Sequence, residues 1–372
     1  MPTADELLGI EQVGELRKIL RASSAEVPGR GIGEASALLG IGDQLADTPL
    51  KQRVDNIAAA VLSDLVGSFS YRAAVIRQAL TRDDFHGWMI WPVSEAVSAA
   101  SLEDATPEGF DQGMYLLADL TSRLTCEFAI RPMLNANLER ALPIIREWTM
   151  HPDEHVRRLA SEGTRMFLPW GRRVPELTRQ PRITLPILNA LYRDPSDMVR
   201  RSVANHLNDL SRNNADIVLE TAAMWLAEPD KHTVRVVRHA LRTLIKRGDQ
   251  GALSLMGFEA SDDVVTEGPF IATETVSVGG SLPFSLAVKN NGKYAVSVMV
   301  DYVIHHQKAN GTQSAKVFKL ATKTVAPGER IEFQRKHSFA PLSTRTYHPG
   351  EHSIEAQVNG VPLGKTSFML TV

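Results

Sequence analysis

The 372-residue chain is 43% hydrophobic and 23% charged, the balance of an ordinary soluble globular protein of two or three domains. No apolar run approaches the ~18 residues a membrane helix needs, and the acidic N-terminus MPTADELLGIEQ has no apolar signal-peptide core. A single cysteine, Cys126, excludes an internal disulfide and fits a reducing cytoplasm.

The formal net charge of −2 conceals an asymmetry. Residues 1–122 hold 9 basic against 18 acidic side chains, whereas residues 123–250 hold 21 against 15, and 19 of those bases are arginine. Arginine is the side chain suited to phosphate. Solvated helix faces with ordinary ion pairs would give the same count, so charge alone leaves nucleic-acid binding open.

Residues 1–257 read as helical. Leu7, Ile10, Val13, Leu16 and Leu20 recur at three or four residues, one face of a helix. Further helices are expected around 52–66, 71–80 and 109–124. From about residue 140 a repeat emerges in HPDEHVRRLASEGTRMFL (151–168), DPSDMVRRSVANHLNDL (194–210) and EPDKHTVRVVRHALRTL (228–244). Each opens on an acidic residue near a proline and continues into a Val-Arg helix. Aligning Val156, Val199 and Val234 gives spacings of 43 and 35 residues, typical of HEAT-like helical hairpins, whose units bury their cores only by stacking. Pro152, Pro195 and Pro229 fall in the turns before the second helices, where a fixed φ suits helix entry. The Arg-bearing helices 156–168, 199–212 and 234–246 are therefore expected to be stacked neighbours.

Beyond a linker at Ser261–Asp263, alternation replaces helical period. Phe284, Leu286 and Val288 alternate, as do Tyr294, Val296, Val298, Val300, Tyr302 and Ile304, and Phe368, Leu370 and Val372. Asn291-Gly292, Asn310-Gly311 and Asn359-Gly360 are hairpin signals. About seven strands in residues 264–372 predict an all-β immunoglobulin-like sandwich, without the disulfide and core tryptophan of antibody domains. The fold class is thus mainly α: a solenoid of HEAT-like repeats (1–257) followed by the sandwich.

Most enzyme classes lack their motif here. There is no metal spacing of Cys and His, and no serine-nucleophile elbow. Gly29, Gly31 and Gly33 lack the Gly-Lys-Ser/Thr ending of a phosphate loop. His305-His306 reads as strand surface. What remains is a set of carboxylates among the arginines. Glu162 lies between Arg158 at i−4 and Arg165 at i+3, which also describes a surface ion-pair ladder. The repeat alignment makes Asn205 the counterpart of Glu162 and puts Asp209 one helical turn further along the same face. Glu127, 35 residues before Glu162, is about one repeat earlier. Three carboxylates on one face need arginines or a cationic ligand to neutralise them. Trp170, in FLPWGRR, closes its helix beside Arg172 and Arg173, a position that suits packing or a nucleic-acid surface.

The runs CEFAIRPML, EWTMHPDEHVRRLASEGTRMFLPW and LYRDPSDMVRRSVANHLNDLSR, with FHGWMIWPVSEAV upstream, resemble the AlkC branch of the AlkC/AlkD bacterial alkylation-repair DNA glycosylases. The resemblance spans about residues 80–250. The C-terminal sandwich resembles that of the AlkC subgroup with an immunoglobulin-like domain. It implies a basic helical-repeat surface cupping duplex DNA, and excision of cationic bases such as N3-methyladenine and N3-methylcytosine without conventional base flipping. It implies catalytic roles for Glu127, Glu162 and Asp209 and a lesion contact for Trp170, with Asp209 steadying positive charge on the sugar and orienting water. Arg157, Arg158, Arg200, Arg201, Arg235 and Arg238 are candidates for phosphate contacts, some of them instead pairing with carboxylates. A monomer acting on the nucleoid, with no cofactor or metal, is expected. The competing reading is a non-catalytic repeat scaffold that binds a protein partner or DNA. Lys289, Lys293, Lys308, Lys316, Lys319 and Lys323 leave the sandwich open to either DNA contact or protein docking.

Overall fold

The computed structural model describes residues 3–29, 31–342 and 345–371. Its helices are α1 (Ala4–Leu8), α2 (Ile10–Glu26), α3 (Ser36–Leu39), α4 (Leu50–Asp64), α5 (Phe69–Leu80), α6 (Ile90–Asp104), α7 (Pro107–Leu120), α8 (Ile130–Ala136), α9 (Leu138–Trp148) and α10 (Glu154–Glu162). Then come α11 (Pro175–Arg179), α12 (Leu185–Leu191), α13 (Asp197–Leu210), α14 (Ala215–Ala227), α15 (Thr233–Ala240), α16 (Arg242–Lys246) and α17 (Gln250–Leu255). Among the described residues no single helix is long and apolar enough to cross a membrane. The chain divides into two compact units: residues 1–214 with 229–240, and residues 215–228 with 241–372.

In the first unit, α4 packs on α6, α10 on α13, and α13 on α15. The Arg-bearing helices α10, α13 and α15 are therefore stacked neighbours, as the repeat spacing requires, although the helix expected over 234–246 is broken at Leu241 into α15 and α16. Their starts follow from capping: the Asp153 carboxylate accepts the His155 N–H at 2.8 Å, and Pro152, Pro195 and Pro229 all sit in the preceding turns. Helix α10 is shorter than its hydrophobic pattern, ending at Glu162, and residues 163–174 continue as turns. Gly163, still in helical conformation, lets α8 approach closely, because a Cβ there would lie 2.8 Å from Ile130 Cγ2.

The repeat register needs one correction. Val156 and Val199 are buried, but Val234 is 47% exposed. The buried positions of α15 are Thr233, Val236, Val237 and Ala240, matching Val156, Leu159, Ala160 and Gly163. Thr233 fills the slot of Val156 because its hydroxyl is satisfied by Asp230 Oδ1 at 2.7 Å. Near the N-terminus Gly9 separates α1 from α2, and Ile10 faces solvent while Val13, Leu16, Ile19 and Leu20 carry the packing.

The second unit holds β1 (Val264–Ile271), β2 (Thr275–Ser277), β3 (Ser281–Asn290), β4 (Val296–Gln307), β5 (Gln313–Val325), β6 (Arg330–Ser338), β7 (Gly350–Val358) and β8 (Val361–Thr371). They form a three-stranded sheet, β1-β3-β6, and a five-stranded one, β2-β8-β7-β4-β5. The inward faces meet as expected: Phe284, Leu286 and Val288 from β3 against Val298, Val300, Tyr302 and Ile304 from β4 and Phe368 and Leu370 from β8. Tyr294 lies outside the strand and is exposed, and Val372 falls outside the described residues. Strand β4 is buried on both faces, because Met299 packs with Leu253, Phe258 and Ile245 from the α16–α17 region. Asn359-Gly360 makes a two-residue hairpin with φ 46° and 78°, and Asn310-Gly311 turns β4 into β5. Asn291-Gly292 does not join paired strands: it carries the chain from β3 in one sheet to β4 in the other.

His305 and His306 are not strand surface. His305 pairs with Glu355 at 3.0 Å, and His306 is buried. It sits in a nest with His337 and His352, ring centroids 6.2 and 5.7 Å away. Each of the three keeps one ring nitrogen buried without a partner among the described residues. Burial pushes His306 down to about 3, His337 down to about 4, and His352 below its usual value.

Candidate active site

The structure joins Glu127, Glu162 and Asp209 through two arginines. Glu127, in the turn before α8, accepts Arg158 Nη1 on Oε2 at 2.8 Å and Thr125 Oγ1 at 3.0 Å. Arg158 Nη2 stands 3.9 Å from Glu162 Oε2. Glu162 Oε1 accepts Arg165 Nη1 at 2.6 Å. Arg165 then turns its other edge to Asp209, with Nε on Oδ2 at 2.9 Å and Nη2 on Oδ1 at 3.1 Å. The Phe167 N–H also donates to Asp209 Oδ2 at 3.3 Å. The result is one continuous ladder: Glu127, Arg158, Glu162, Arg165, Asp209.

Glu162, Arg165 and Asp209 are all buried. Burial by itself lowers the pKa of Arg165; its hydrogen bonds to Asp209 and the charges of Glu162 and Asp209 outweigh it and raise the value. The ladder contains three carboxylates and two guanidiniums, so by itself it carries one unbalanced negative charge. Acceptor capacity is also left over. Among the described residues no hydrogen bond engages Oε1 of Glu127 or Oε2 of Glu162, and Oδ1 of Asp209 accepts only one.

Trp170 does not close a helix. It lies in the turn segment eight residues beyond α10, at φ 60°, with 95% of its surface exposed. Next to it, Phe167 is capped on its ring by Arg212 at 4.3 Å and by Arg173 at 4.9 Å. The upstream FHGWMIWPVSEAV segment meets the same neighbourhood: Trp91 stacks on Phe128 at 5.0 Å and donates Nε1–H to Glu95 at 3.2 Å. Burial raises the Glu95 carboxyl above its usual value.

The six candidate arginines divide. Arg157 forks onto Asp194 at 2.6 and 3.1 Å and holds the His151 and Pro152 carbonyls. Arg200 is buried on the Asp194 and Pro195 carbonyls and on Asp197. Arg158 belongs to the ladder. Arg201, Arg235 and Arg238 are exposed, with Arg235 only 3.5 Å from Asp197 as a loose ion pair. Arg201 and Arg235 flank a cleft that also takes in His232 and His239. His239 Nε2 and Asn205 Oδ1 are 2.9 Å apart, which joins the positions equivalent to Glu162 on α13 and α15.

Sequence reasoning passed over Arg131. It is fully buried inside the apolar run IRPML and caps carbonyls rather than carboxylates: Gly163, Arg165 and Arg172, each at 2.8 Å. An arginine in the middle of an apolar stretch was the available signal. Among the described residues no group of His, Cys, Asp and Glu is arranged to hold a metal ion.

Residues 119–247 match the family described as DNA alkylation repair enzyme, and residues 266–372 match the C-terminal Ig-like domain of the uncharacterised protein YhaZ. The uncharacterized protein YhaZ of Bacillus subtilis (strain 168) is 32% identical over 320 residues, which is 85% of this chain and 87% of that protein. The chain belongs to the DNA alkylation repair enzyme family. A solved structure of Pseudomonas fluorescens alkylpurine DNA glycosylase AlkC, bound to DNA containing an abasic site analog, is 29% identical, superposes with a TM-score of 0.87 and covers 100% of both chains. The alkylation-repair match spans the whole ladder, from Glu127 to Asp209, and the Trp170 turn. Membership of the family, with the likeness to AlkC, sets aside the non-catalytic scaffold and confirms the helical-repeat region followed by an Ig-like domain.

Proposed function

We propose that this chain hydrolyses the N-glycosidic bond of cationic alkylated bases in duplex DNA, with N3-methyladenine and N3-methylcytosine as the candidate substrates. The observation that carries the reading is the ladder with its excess carboxylate. A base that already bears a positive charge leaves as a neutral molecule, so no proton donor is required. The C1′–N bond breaks with its electron pair going to the base, and positive charge develops on the sugar. A fixed carboxylate stabilises that charge without reorganisation. At about 4 Å and an effective dielectric near 20, one carboxylate contributes roughly 4 kcal/mol against a unit cation, on the order of a thousandfold in rate. Water then adds to C1′ and gives its proton to a carboxylate. The open oxygens of Glu127 and Glu162 and the remaining lone pair of Asp209 Oδ1 are suited to both tasks.

Trp170 would offer its π-face to the cationic nucleotide. The exposed Arg201, Arg235 and Arg238 are the phosphate contacts of this reading, while Arg157 and Arg200 hold the scaffold. The similar AlkC was captured on an abasic site analog, the kind of site that base removal leaves behind. The deciding experiment incubates the protein with methylated duplex DNA and separates released free base by chromatography. Release of methylated base, lost in Glu162→Gln and Glu127→Gln, is the expected result. Tight binding to abasic-site DNA with no base released would overturn the catalytic reading.

A further inference from the structure

We propose that Arg131 and Asn135 of α8 are positioning residues for Trp170: they anchor from beneath the turn segment that presents it. The inference rests on the reading above, in which Trp170 meets the damaged nucleotide. Trp170 occupies the left-handed region at φ 60°, which is unfavourable for a non-glycine residue. Its indole is almost wholly exposed, so packing of the side chain does not offset that cost. The conformation persists only if the surrounding backbone over-determines it.

The hydrogen bonds show what does so. Residues 163–174 form neither helix nor strand, so no regular ladder supplies donors to their carbonyls. Arg131 supplies those donors: Nη1 to Gly163 O and Arg165 O, and Nε to Arg172 O. One guanidinium thus grips the segment on both sides of Trp170. Asn135 Nδ2, one turn further along α8, takes the Arg173 carbonyl at 2.9 Å and the Arg131 carbonyl at 3.1 Å. The Arg165 carbonyl that Arg131 holds belongs to the arginine that bridges Glu162 and Asp209, so a single anchor fixes both the ladder and the tryptophan.

The choice of residue is costly. Arg131 is fully buried, no carboxylate receives its hydrogen bonds, and Nη2 has no partner among the described residues. Burial, with Arg173 and Arg165 adding to it and Asp209 opposing, pushes the guanidinium down to about 10. A buried charge with no carboxylate bonded to it is a poor device for stability. It is a good one for geometry, because a planar fork fixes three carbonyls at once.

A double-mutant cycle tests this. Asn135 is exposed, so Asn135→Ala leaves the fold intact while releasing Arg173 O. Single-turnover release of N3-methyladenine is measured for Asn135→Ala and Arg131→Lys, each in the wild-type and Trp170→Ala backgrounds. Loss of one hydrogen bond, about 1 kcal/mol, predicts a fall of about fivefold for Asn135→Ala. In the Trp170→Ala background the same change should be less than about twofold. Equal falls in both backgrounds, or none in the wild type, would overturn the inference. Amide hydrogen exchange of residues 164–173 gives a readout that needs no activity: it should quicken in Asn135→Ala while α13 is unchanged. Exchange that stays at the wild-type rate overturns the anchoring itself, whereas a wild-type protein that releases no base fails the glycosylase reading instead.

Discussion

The ladder of the helical unit and the histidine nest of the sandwich are both buried clusters of titratable side chains, and they are stabilised in opposite ways. In the ladder every carboxylate has a guanidinium nitrogen within 2.6 to 2.9 Å. In the nest, His306 Nε2 faces Arg345 Nη1 at 2.7 Å, His337 Nδ1 meets the Tyr302 hydroxyl at 3.2 Å, His352 Nε2 donates to the His348 carbonyl at 3.0 Å, and among the described residues no carboxylate pairs with the rings. One cluster holds charge by pairing it; the other stays neutral because burial disfavours the charged rings, and a proton there would also meet Arg345 and Lys316. A paired, slightly over-acidic cluster can receive a cation, whereas the unpaired one can only lose stability to a proton.

The sharpest way to break the comparison is to remove charge from the ladder. Asp209→Asn keeps the side-chain shape and deletes one of the three negative charges. Release of N3-methyladenine per folded molecule should fall on the order of a thousandfold, the loss of one carboxylate beside a developing cation. A variant with near-wild-type single-turnover release but a lowered melting temperature would reduce Asp209 to a structural partner of Arg165. The second largest effect is on stability. Arg165→Met strands two buried carboxylates and should cost about 3–5 kcal/mol in urea unfolding. Unchanged stability would mean that the ladder is not cooperative.

Much of this was legible in the sequence, and the failures have physical causes. The stacking of α10, α13 and α15 followed from hydrophobic period and turn prolines. The register of α15 slipped by one residue because Val234-Arg235 imitates Val156-Arg157, whereas the buried slot is filled by Thr233, whose local hydrogen bond hides it from hydrophobic pattern. Glu162 and Arg165 at i, i+3 were visible as neighbours. The bond from Arg165 to Asp209 spans 44 residues and appears only on folding. His306 lies in phase with Tyr302 and Ile304, so alternation placed it inward; its polarity argued the other way and was misleading. Asn291-Gly292 specified a turn but not which strands would pair.

The nest makes the sandwich acid-labile. The folded values of His306, His337 and His352 lie below the ordinary ~6.5. The unfolded chain therefore binds more protons at mildly acid pH, and stability that is fully present above about 6.5 is lost as pH falls toward 4 and 3. For His306 or His337 the loss at pH 4.5 is roughly 2–3 kcal/mol. Asp301, raised to about 6 by burial, runs the other way and offsets part of it. Calorimetry of the full chain should show a falling melting temperature between pH 6.5 and 4.5, lessened in His337→Gln. A flat profile over that window would show that the nest accommodates protons.

The smallest expected effect separates arginines that face solvent from those that build the scaffold. Arg201 is exposed beside a cleft, while Arg157 forks onto the buried Asp194. If Arg201 neutralises one phosphate, Arg201→Ala should weaken binding to undamaged duplex of any sequence. It should also flatten the dependence of log K on log salt by about one unit, because one fewer counterion is released. Its melting temperature should hold, since an exposed side chain away from the core contributes little. Arg157→Ala should give the reverse pattern: an unchanged salt slope and a lowered melting temperature, because Asp194 is left buried without its partner. Titrations at several salt concentrations beside thermal unfolding read both quantities on the same two variants. Identical salt slopes for wild type and Arg201→Ala would remove Arg201 from the DNA interface and leave Arg235 and Arg238 as the remaining candidates among the six. A reduced slope in Arg157→Ala would mean that its pairing with Asp194 is exchanged for phosphate when DNA binds, and the division between scaffold and contact arginines would then have to be drawn on the bound state.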